Sequence, residues 1–306
     1  MARAVRFDEY GGSDVLYVDD VEVPAPRPGE VLVAVRAAGI NPGEASIRRG
    51  ALAEMFPTTF PSGEGSDLAG VVEQIGDGAG SFAVGDEVLG WTDGRASHAE
   101  RVNVPVDHLI RKPPVLPWEV AGSLYVVGVT AYASVRAVGA GPGDTVVVSS
   151  AAGGVGSIAA QLLRVRGADV IGIASQPHHD WLTSVGVMPV SYGDDLVRCI
   201  REEAPSGVDA FIDTFGSQYV ELALELGVAR DRINTTIAFD AAKAHGVKSE
   251  GSSTAASPEV LAEMAELVAS GRIHVPIAAT YPLDQVRAAY DELEKRHTQG
   301  KIVLVP

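Results

Sequence analysis

The sequence is poor in cysteine and in basic residues, and each shortage excludes a class of protein. Cys199 is the only cysteine among 306 residues, so an internal disulfide and a cysteine-based zinc site are both excluded. The 40 acidic residues outnumber the 24 basic ones, which gives a formal net charge of −16. So acidic a chain repels the phosphates of nucleic acid and the anionic surface of a membrane. We therefore expect neither as a partner.

Long apolar runs are also missing. The first six residues, MARAVR, lack the apolar core of a signal peptide. The longest weakly polar stretch, residues 121–135, is too short and too often interrupted by Gly and Thr to span a bilayer. We therefore expect a cytoplasmic protein. Its 46% hydrophobic content over 306 residues is enough for two domain cores.

The residue patterns of metal sites and of serine hydrolases do not occur. The seven histidines are scattered, and His178 and His179 form the only adjacent pair. Zinc sites need three or four closely placed Cys, His or carboxylate ligands, so we expect no metal. The nucleophile pattern G-x-S-x-G of serine hydrolases is absent as well.

What the chain does contain is a strand, a glycine-rich turn and a helix over residues 144–167. The run TVVV predicts a buried parallel strand, and apolar residues at helical spacing follow the turn. Ala151, Gly153 and Gly156 align with the dinucleotide fingerprint G-x-G-x-x-G, with alanine in place of the first glycine. Such a turn points backbone N–H groups and a helix N-terminus at a pyrophosphate.

A second predicted strand, residues 169–174, completes a βαβ unit around this turn. The context favours dinucleotide binding, and a purely structural loop is the alternative. Before about residue 117 many short strands alternate with Gly, Asp and Pro turns and no helical amphipathicity is seen, which predicts a small barrel. From there helices and strands alternate, which predicts a doubly wound parallel sheet.

The expected class is therefore α/β, with a Rossmann sheet over residues 119–271. The last strand, residues 301–305, has no helix after it and is assigned to the first domain. That barrel domain is then formed by both chain ends, residues 1–118 and 272–306.

The end of the second strand distinguishes between the two nicotinamide cofactors. NAD sites usually carry Asp or Glu there to bind the ribose 2′-OH. Residues 173–179 read IASQPHH, so no carboxylate is present to repel a 2′-phosphate. Ser175 offers a hydroxyl, while His178 and His179 offer N–H donors. The stretch favours NADPH. The alternative is that the histidines form a solvated loop, because no Arg or Lys is near in sequence.

Six stretches, in order along nearly the whole chain, carry a family resemblance: AGINP (38–42), FP (60–61) with GSDLAGVV (65–72), VGDEV (84–88), GVTAY (128–132), residues 150–156, and GKIVL (300–304). The chain resembles the zinc-independent medium-chain dehydrogenases/reductases of the quinone oxidoreductase-like group. The resemblance implies a GroES-like barrel that holds the substrate, a Rossmann domain and a cleft between them. It also implies NADPH-dependent reduction of quinones or of C=C bonds conjugated to a carbonyl.

Residue by residue, the resemblance implies the cofactor contacts. Asn41 and Thr130 match positions near the nicotinamide and its ribose-phosphate. Their alternatives are an Asx-type turn before Pro42 and a helix-interior threonine bonded to its own backbone. Tyr192 matches a position at the 2′-phosphate end, or is an edge-strand aromatic. The expected cofactor-binding residues are Asn41, Thr130, Ala152, Gly153, Gly154, Val155, Ser175, His179, Tyr192 and Phe239.

Three departures from the relatives' pattern concern the substrate and the NADPH preference. Glu44 stands where relatives often have Asp, His98 replaces an aromatic residue, and His178-His179 replaces an Arg-Asn pair. No spacing argument identifies a proton donor, and water is one alternative. The candidate catalytic residues are Asn41, Tyr125 and Thr130, with Tyr132 and His98 as further donors.

Two other functions stay open on the sequence. One is a dedicated reductase of a biosynthetic enoyl intermediate, and the other is a non-enzymatic NADPH-binding protein.

An open sheet edge predicts a homodimer, as the resemblance also implies. Residues 232–238 are expected to form the final βα-paired strand, with only a short strand near residues 246–249 beyond it. An open edge exposes unpaired N–H and C=O groups, which pairing across a two-fold axis would satisfy. We expect residues 239–251 to join the protomers. The alternative is a monomer whose edge is covered by a loop over residues 240–251.

Overall fold

The computed structural model describes all 306 residues, and they form two compact units. Unit 1 comprises Met1–Val126, Ser257–Ala269 and Pro276–Pro306. Unit 2 comprises Val127–Ala256 and Ser270–Val275.

The chain begins with strands and gains regular helices later. The first elements are β1 (Ala2–Phe7), β2 (Tyr17–Val21), β3 (Glu30–Gly39), α1 (Pro42–Arg48), β4 (Ser62–Gly63), β5 (Asp67–Ile75), β6 (Glu87–Trp91), β7 (Arg101–Pro105), β8 (Leu109–Arg111) and α2 (Trp118–Ala121). The alternating part follows as α3 (Tyr125–Val138), β9 (Thr145–Val148), α4 (Gly154–Val165), β10 (Asp169–Ile173), α5 (His179–Ser184), β11 (Met188–Val190), α6 (Leu196–Glu203), β12 (Ala210–Asp213), α7 (Ser217–Glu225), β13 (Ile233–Thr235) and α8 (Phe239–His245).

The last part of the chain returns to unit 1. Its elements are α9 (Pro258–Ala269), β14 (Ile277–Pro282), α10 (Val286–Glu294) and β15 (Lys301–Val305). Short 3₁₀ turns lie at Ser13–Val15, Val106–His108, Gln176–His178, Arg230–Arg232, Ser252–Thr254 and Leu283–Gln285. No helix has the length and apolar content needed to cross a membrane.

Strand β3 is the centre of unit 1. It pairs antiparallel with β5, β7 and β15, in a sheet of order β14-β15-β3-β5-β6-β8. Val31, Val33 and Val35 alternate along β3 and are buried in one apolar cluster, as a period of two requires. A second, three-stranded sheet has the order β2-β1-β4. Because β15 pairs with β3, the end of the chain is part of the same unit as its beginning.

Unit 2 contains a five-stranded parallel sheet of order β11-β10-β9-β12-β13. The valines of β9 are fully buried, because helices cover both faces of such a sheet. The strand order reverses direction at β9, and ligands of doubly wound folds bind at this point, beyond the carboxyl ends of the strands. The expectation of an α/β fold with a Rossmann-like parallel sheet is confirmed.

Helix α1 lies before residue 117, in the part of the chain where the sequence shows no helical amphipathicity and only strands were predicted. Asn41 is its N-cap, Pro42 occupies its first turn, and the Glu44 carboxylate accepts the Asn41 N–H at 2.8 Å. Proline at the start of a helix and a reciprocal glutamate three residues after the cap are both helix-start signals. The helix is only seven residues long, too short for an amphipathic period to show.

Two further differences concern the sheet edge of unit 2. The monomer alternative places a loop over residues 240–251, but Phe239–His245 form α8. Strand β13 has three residues rather than the seven expected. Lys248 pairs with its outer edge, since Lys248 N–H donates to Ile233 and Thr235 N–H donates to Lys248.

Helix α9 packs against β8 and belongs to unit 1, whereas the predicted limits assigned it to the cofactor domain. Strand β14 was not predicted, because its residues alternate between half-buried and exposed and form no apolar run. The domain limits 1–118 with 272–306, and 119–271, remain a proposal about function.

Candidate functional site

The fingerprint turn joins β9 to α4 at the carboxyl edge of the unit 2 sheet. Ser150 adopts a left-handed conformation with φ of 48°, while Ala151 keeps a negative φ, so alanine fits the first fingerprint position. At the third position, a Cβ on Gly156 would lie 2.2 Å from the Ser150 carbonyl oxygen. Only glycine therefore lets α4 approach the turn this closely.

The first turn of α4 can hold a pyrophosphate. The N–H groups of Gly154, Val155 and Gly156 begin the helix and have no partner inside it. Gly153 is the N-cap without a side chain, and no acidic residue lies in the first turn to compete with an anion. Gly153, Gly154 and Val155 are half-buried rather than enclosed. These donors and the positive end of the helix dipole fit the phosphates of a dinucleotide.

Asp213, at the end of β12, connects the strand ends beside this turn. It is fully buried, and its carboxylate accepts from the Ser149 hydroxyl at 2.7 Å and the Thr235 hydroxyl at 2.7 Å. It also accepts from the Phe215 and Gly216 N–H groups, at 2.9 and 3.1 Å. Asp213 thereby fixes the ends of β9, β12 and β13 relative to one another. Sequence reasoning did not single it out.

The end of β10 carries the residues expected at the 2′-phosphate. Ser175, His178 and His179 are half-buried, and no carboxylate precedes Asp180 after the strand. The Nε2 atom of His179 lies 3.3 Å from the Ala174 carbonyl oxygen and 3.3 Å from the Ser191 hydroxyl. Ser191 follows β11, so the ends of two neighbouring strands meet at this imidazole.

The three remaining cofactor-binding candidates of unit 2 differ in their exposure to solvent. Tyr192 is 55% exposed and lies beyond β11, so it is not an edge-strand residue. Phe239 begins α8 and is 38% exposed. Thr130 is buried inside α3, and its methyl group faces Gly251. The Thr130 hydroxyl does not bond back to its own helix, whereas the Ser134 hydroxyl donates to the Thr130 carbonyl at 2.8 Å.

Asn41 lies in unit 1, where its side-chain amide is held on all sides. Its Nδ2 donates to Glu44 at 3.1 Å and to Asp67 at 3.0 Å, and its Oδ1 accepts from Lys301 at 2.5 Å. An amide has two N–H donors, and both are used. Asn41 therefore acts as a cap and network residue here, with only an oxygen lone pair left for a ligand.

Glu44 and Lys301 complete this buried network. The Glu44 carboxylate also accepts from the Ser66 N–H at 2.9 Å and from the Tyr290 hydroxyl at 2.9 Å. Lys301, nearly buried, donates to the Ile40 carbonyl at 2.9 Å. Burial raises the pKa of Asp67, although the Lys301 charge and the Asn41 amide lower it.

A second buried pair, Arg48 and Glu64, lies next to this network. Their N–O distance is 2.5 Å, and the Arg48 guanidinium sits 4.3 Å from the centre of the Tyr290 ring. Burial raises the pKa of Glu64 to about 8, in spite of the Arg48 charge, and one oxygen of Glu64 has no hydrogen-bond partner. Asp67, Lys301, Arg48 and Glu64 were not identified from the sequence as site residues.

Of the candidate proton donors, Tyr125 has the most distinctive setting. Its ring stacks on Trp91 at 4.4 Å and 4°, and Trp91 stacks in turn on His108 at 4.5 Å. The Tyr125 hydroxyl has no hydrogen-bond partner in the protein, and burial raises its pKa.

The other two candidate donors are engaged elsewhere. Burial lowers the pKa of His98, and the His98 Nε2 lies 3.3 Å from the Gly39 carbonyl oxygen. The ring of Tyr132 lies 5.7 Å under the Arg166 guanidinium. No group of three or more His, Cys, Asp or Glu residues is placed to hold a metal ion.

Comparison with known families supports this class of site. A family model described as alcohol dehydrogenase GroES-like domain matches residues 27–114, and one described as zinc-binding dehydrogenase matches residues 123–304. The second match covers more than half of the chain. The chain therefore belongs to the medium-chain dehydrogenases/reductases, oxidoreductases that bind nicotinamide cofactors.

Within that family the chain is similar to quinone oxidoreductases. Quinone oxidoreductase 1 of Escherichia coli (strain K12) is 28% identical over 330 aligned positions, which span 100% of both chains. The human quinone oxidoreductase is 36% identical over 177 residues, 57% of this chain and 53% of its own.

Solved structures give the same relationship. The Escherichia coli quinone oxidoreductase complexed with NADPH superposes with a TM-score of 0.89 at 26% identity, covering 99% of this chain and 100% of that one. The quinone oxidoreductase from Coxiella burnetii gives 0.88 at 28% identity, covering 100% and 99%.

Proposed function

We propose that this protein is a zinc-independent, NADPH-dependent oxidoreductase that transfers a hydride to a quinone or an α,β-unsaturated carbonyl compound. The observation that carries the cofactor assignment is the end of β10, where Ser175 and His179 stand and no carboxylate would repel a 2′-phosphate. The similar Escherichia coli enzyme was solved with NADPH, which supports the same choice.

The chain's own residues would hold the cofactor at two points of unit 2. The N–H groups at the start of α4 bind the pyrophosphate, and the residues at the end of β10 bind the adenosine end. NADPH supplies the hydride, and the protein's contribution is to position the reacting groups and to exclude water. The Thr130 hydroxyl, free of its helix backbone, is available to the nicotinamide ribose.

Negative charge develops on the carbonyl oxygen of a quinone or enone when hydride arrives. We propose that Tyr125 donates a hydrogen bond to that oxygen, because its hydroxyl has no hydrogen-bond partner in the protein and its ring is stacked on Trp91. Since burial raises the pKa of Tyr125, the phenol keeps its proton at neutral pH. In this proposal water delivers the proton that completes the reduction.

Cys199, the only cysteine, is half-buried on α6, and no group of three or more His, Cys, Asp or Glu residues is placed to hold a metal ion. This supports the proposal that the reaction needs no zinc.

Steady-state oxidation of NADPH with a panel of quinones and a panel of enones tests the proposed function. We expect turnover on at least one panel. Turnover confined to a single biosynthetic enoyl compound would instead identify a dedicated enoyl reductase. NADPH binding without turnover on any acceptor would indicate a non-enzymatic NADPH-binding protein and overturn the proposal.

Tyr125→Phe is the matched variant for the hydrogen bond, because it keeps the aromatic stack and removes only the hydroxyl. Loss of kcat at unchanged NADPH affinity is the result that the proposed role requires. His108→Phe, which retains an aromatic ring on the other face of Trp91, is the control that should leave kcat near the wild-type value.

A further inference from the structure

The end of β10 contains no fixed positive charge. Between residues 167 and 197 the chain has neither lysine nor arginine, although a 2′-phosphate is a dianion that proteins usually bind with such groups. His178 and His179 are the only side chains in this segment that can become cationic. A cofactor phosphate at this point therefore meets imidazole, whose charge changes between about pH 5 and pH 8.

The hydrogen bonds of His179 determine which of its nitrogens faces a ligand. Its Nε2 is 3.3 Å from the Ala174 carbonyl oxygen, and a carbonyl can only accept, so Nε2 carries the proton. The Ser191 hydroxyl, also at 3.3 Å, can adapt to this arrangement by accepting. In the neutral ring Nδ1 then carries a lone pair. The Nδ1 atom has no hydrogen-bond partner in the protein and is accessible to solvent.

A lone pair at Nδ1 cannot donate to a phosphate oxygen. Protonation of the ring converts Nδ1 into a donor and adds a positive charge at the same time. The neutral and the cationic forms of His179 should therefore differ greatly in their attraction for a phosphate.

Apart from the adjacent His178, the neighbouring charged groups do not substitute for His179. On its own helix and the preceding turn are Asp180 and His178, strand β11 has no titratable group, and the following loop has Tyr192, Asp194 and Asp195. The nearest following arginine, Arg198, is engaged by Asp195 and Glu202. Arg164 donates to Ala168 and Asp169 at the opposite end of β10. The carboxylates nearby disfavour a phosphate, so a protonated imidazole is the only local compensation.

We infer that His179 determines the preference for a 2′-phosphorylated adenosine and does so only as the imidazolium cation. The preference for NADPH over NADH then increases as the pH falls towards the range in which imidazole is protonated. This inference rests on the proposed function, since it assumes that the cofactor's adenosine end lies at β10.

Binding of adenosine 2′,5′-bisphosphate and of adenosine 5′-monophosphate, measured by calorimetry on the full chain, isolates the 2′-phosphate. A hydrogen bond to phosphate that only the cationic ring can donate couples binding of the 2′-phosphate to proton uptake. We expect the affinity ratio of the two probes to rise about fivefold between pH 8.5 and pH 6.5. Above pH 6.5 the phosphate itself remains mostly dianionic, because its second pKa is about 6.

Three variants assign the effect. His179→Gln keeps a donor for the Ala174 carbonyl but cannot become cationic, so its ratio should stay low and independent of pH. His179→Arg should give a high ratio at every pH. His297→Gln, which removes an exposed imidazole after α10, is the control and should reproduce the wild-type dependence.

A flat wild-type ratio, or a rise that His179→Gln retains, would overturn the inference. So would a rise that only His178→Gln removes. Failure of the proposed function looks different. In that case neither probe competes with NADPH, or the bisphosphate binds equally well when Gly153→Val blocks the α4 turn.

Discussion

Ser175 lies at the position where dinucleotide-binding sites distinguish NADPH, which has a 2′-phosphate, from NADH, which has none. It is half-buried at the carboxyl end of β10, where an acidic side chain would bind a ribose diol and repel a phosphate. At pH 7 we expect NADPH to bind at least tenfold more tightly than NADH, about 1.4 kcal/mol. Ser175→Asp should reverse that order, and fluorescence titration with the two reduced cofactors measures it. Equal wild-type affinities would contradict the assignment.

Glu64 provides a residue-scale prediction about stability. Burial raises the pKa of this carboxyl from about 4.5 to about 8 in the folded chain. The folded protein then binds one more proton than the unfolded chain between those values, so this stabilisation is complete below pH 4.5 and is lost as pH rises through 8. The contribution to the free energy of unfolding should fall by about 1.4 kcal/mol per pH unit in this window.

Urea unfolding of Glu64→Gln at pH 6 and pH 8 measures this contribution. Glutamine cannot titrate, so the variant should lose less stability than the wild type between the two pH values. Glu73→Gln removes a half-buried carboxylate paired with Arg101 and serves as the control, which should follow the wild type. An identical pH dependence in all three proteins would show that Glu64 is ionised throughout.

At the scale of an element, a substitution in the turn between β9 and α4 should abolish cofactor binding without unfolding the protein. A Cβ at Gly153 would meet the Ser150 hydroxyl oxygen at 2.9 Å, an atom that rotation about one bond can move away. Gly153→Val should therefore keep the fold while filling the space that a pyrophosphate needs, and NADPH binding should fall below detection. Circular dichroism and NADPH titration test the two statements separately.

Gly156→Ala serves as the control for a substitution in the same turn that should disturb the fold. Its Cβ would lie 2.2 Å from a backbone oxygen that cannot rotate away, so α4 must move from the sheet. We expect this variant to lose about 1–3 kcal/mol of stability, as overpacked sites do. A soluble, folded Gly153→Val that binds NADPH normally would remove the turn from the cofactor site.

At the scale of the whole molecule, we expect activity to be independent of zinc. The family model's description refers to zinc, but this chain has one cysteine and no cluster of metal ligands. Exhaustive chelation should leave NADPH oxidation unchanged, and elemental analysis should find no stoichiometric zinc. One zinc per chain, lost together with activity, would refute the expectation.

Assembly is the second prediction at this scale. We propose a homodimer joined through residues 239–251, which comprise α8 and the segment around Lys248. Because Lys248 pairs with β13, the free edge is the segment around Lys248 itself and is short. Light scattering should give twice the 31.8 kDa mass of one chain at micromolar concentration. The mass of a single chain would refute the dimer, and a dimer that survives Lys248→Pro would place the contact elsewhere.

The sequence by itself determined the features that depend on neighbouring residues. The run TVVV with the glycines after it predicts a strand, a tight turn and a helix N-terminus, because backbone propensities over a dozen residues suffice. The alternation of helices and strands likewise predicts a parallel sheet. The absence of a carboxylate at the end of β10 is visible without any structure.

Only the tertiary structure decided how the polar side chains are used. The sequence indicated that the Asn41 amide could bind a cofactor. In the structure the amide is bonded to Asp67 and to Lys301 instead. Lys301 is 260 positions away in sequence and reaches Asn41 because β15 pairs with β3. Asp213 likewise joins three strand ends through residues that are distant in sequence. Hydrogen-bond partners and burial depend on contacts between remote segments, which local patterns do not encode. The same holds for His179. The Ala174 carbonyl and the Ser191 hydroxyl, at the ends of two strands, determine which ring nitrogen carries the proton.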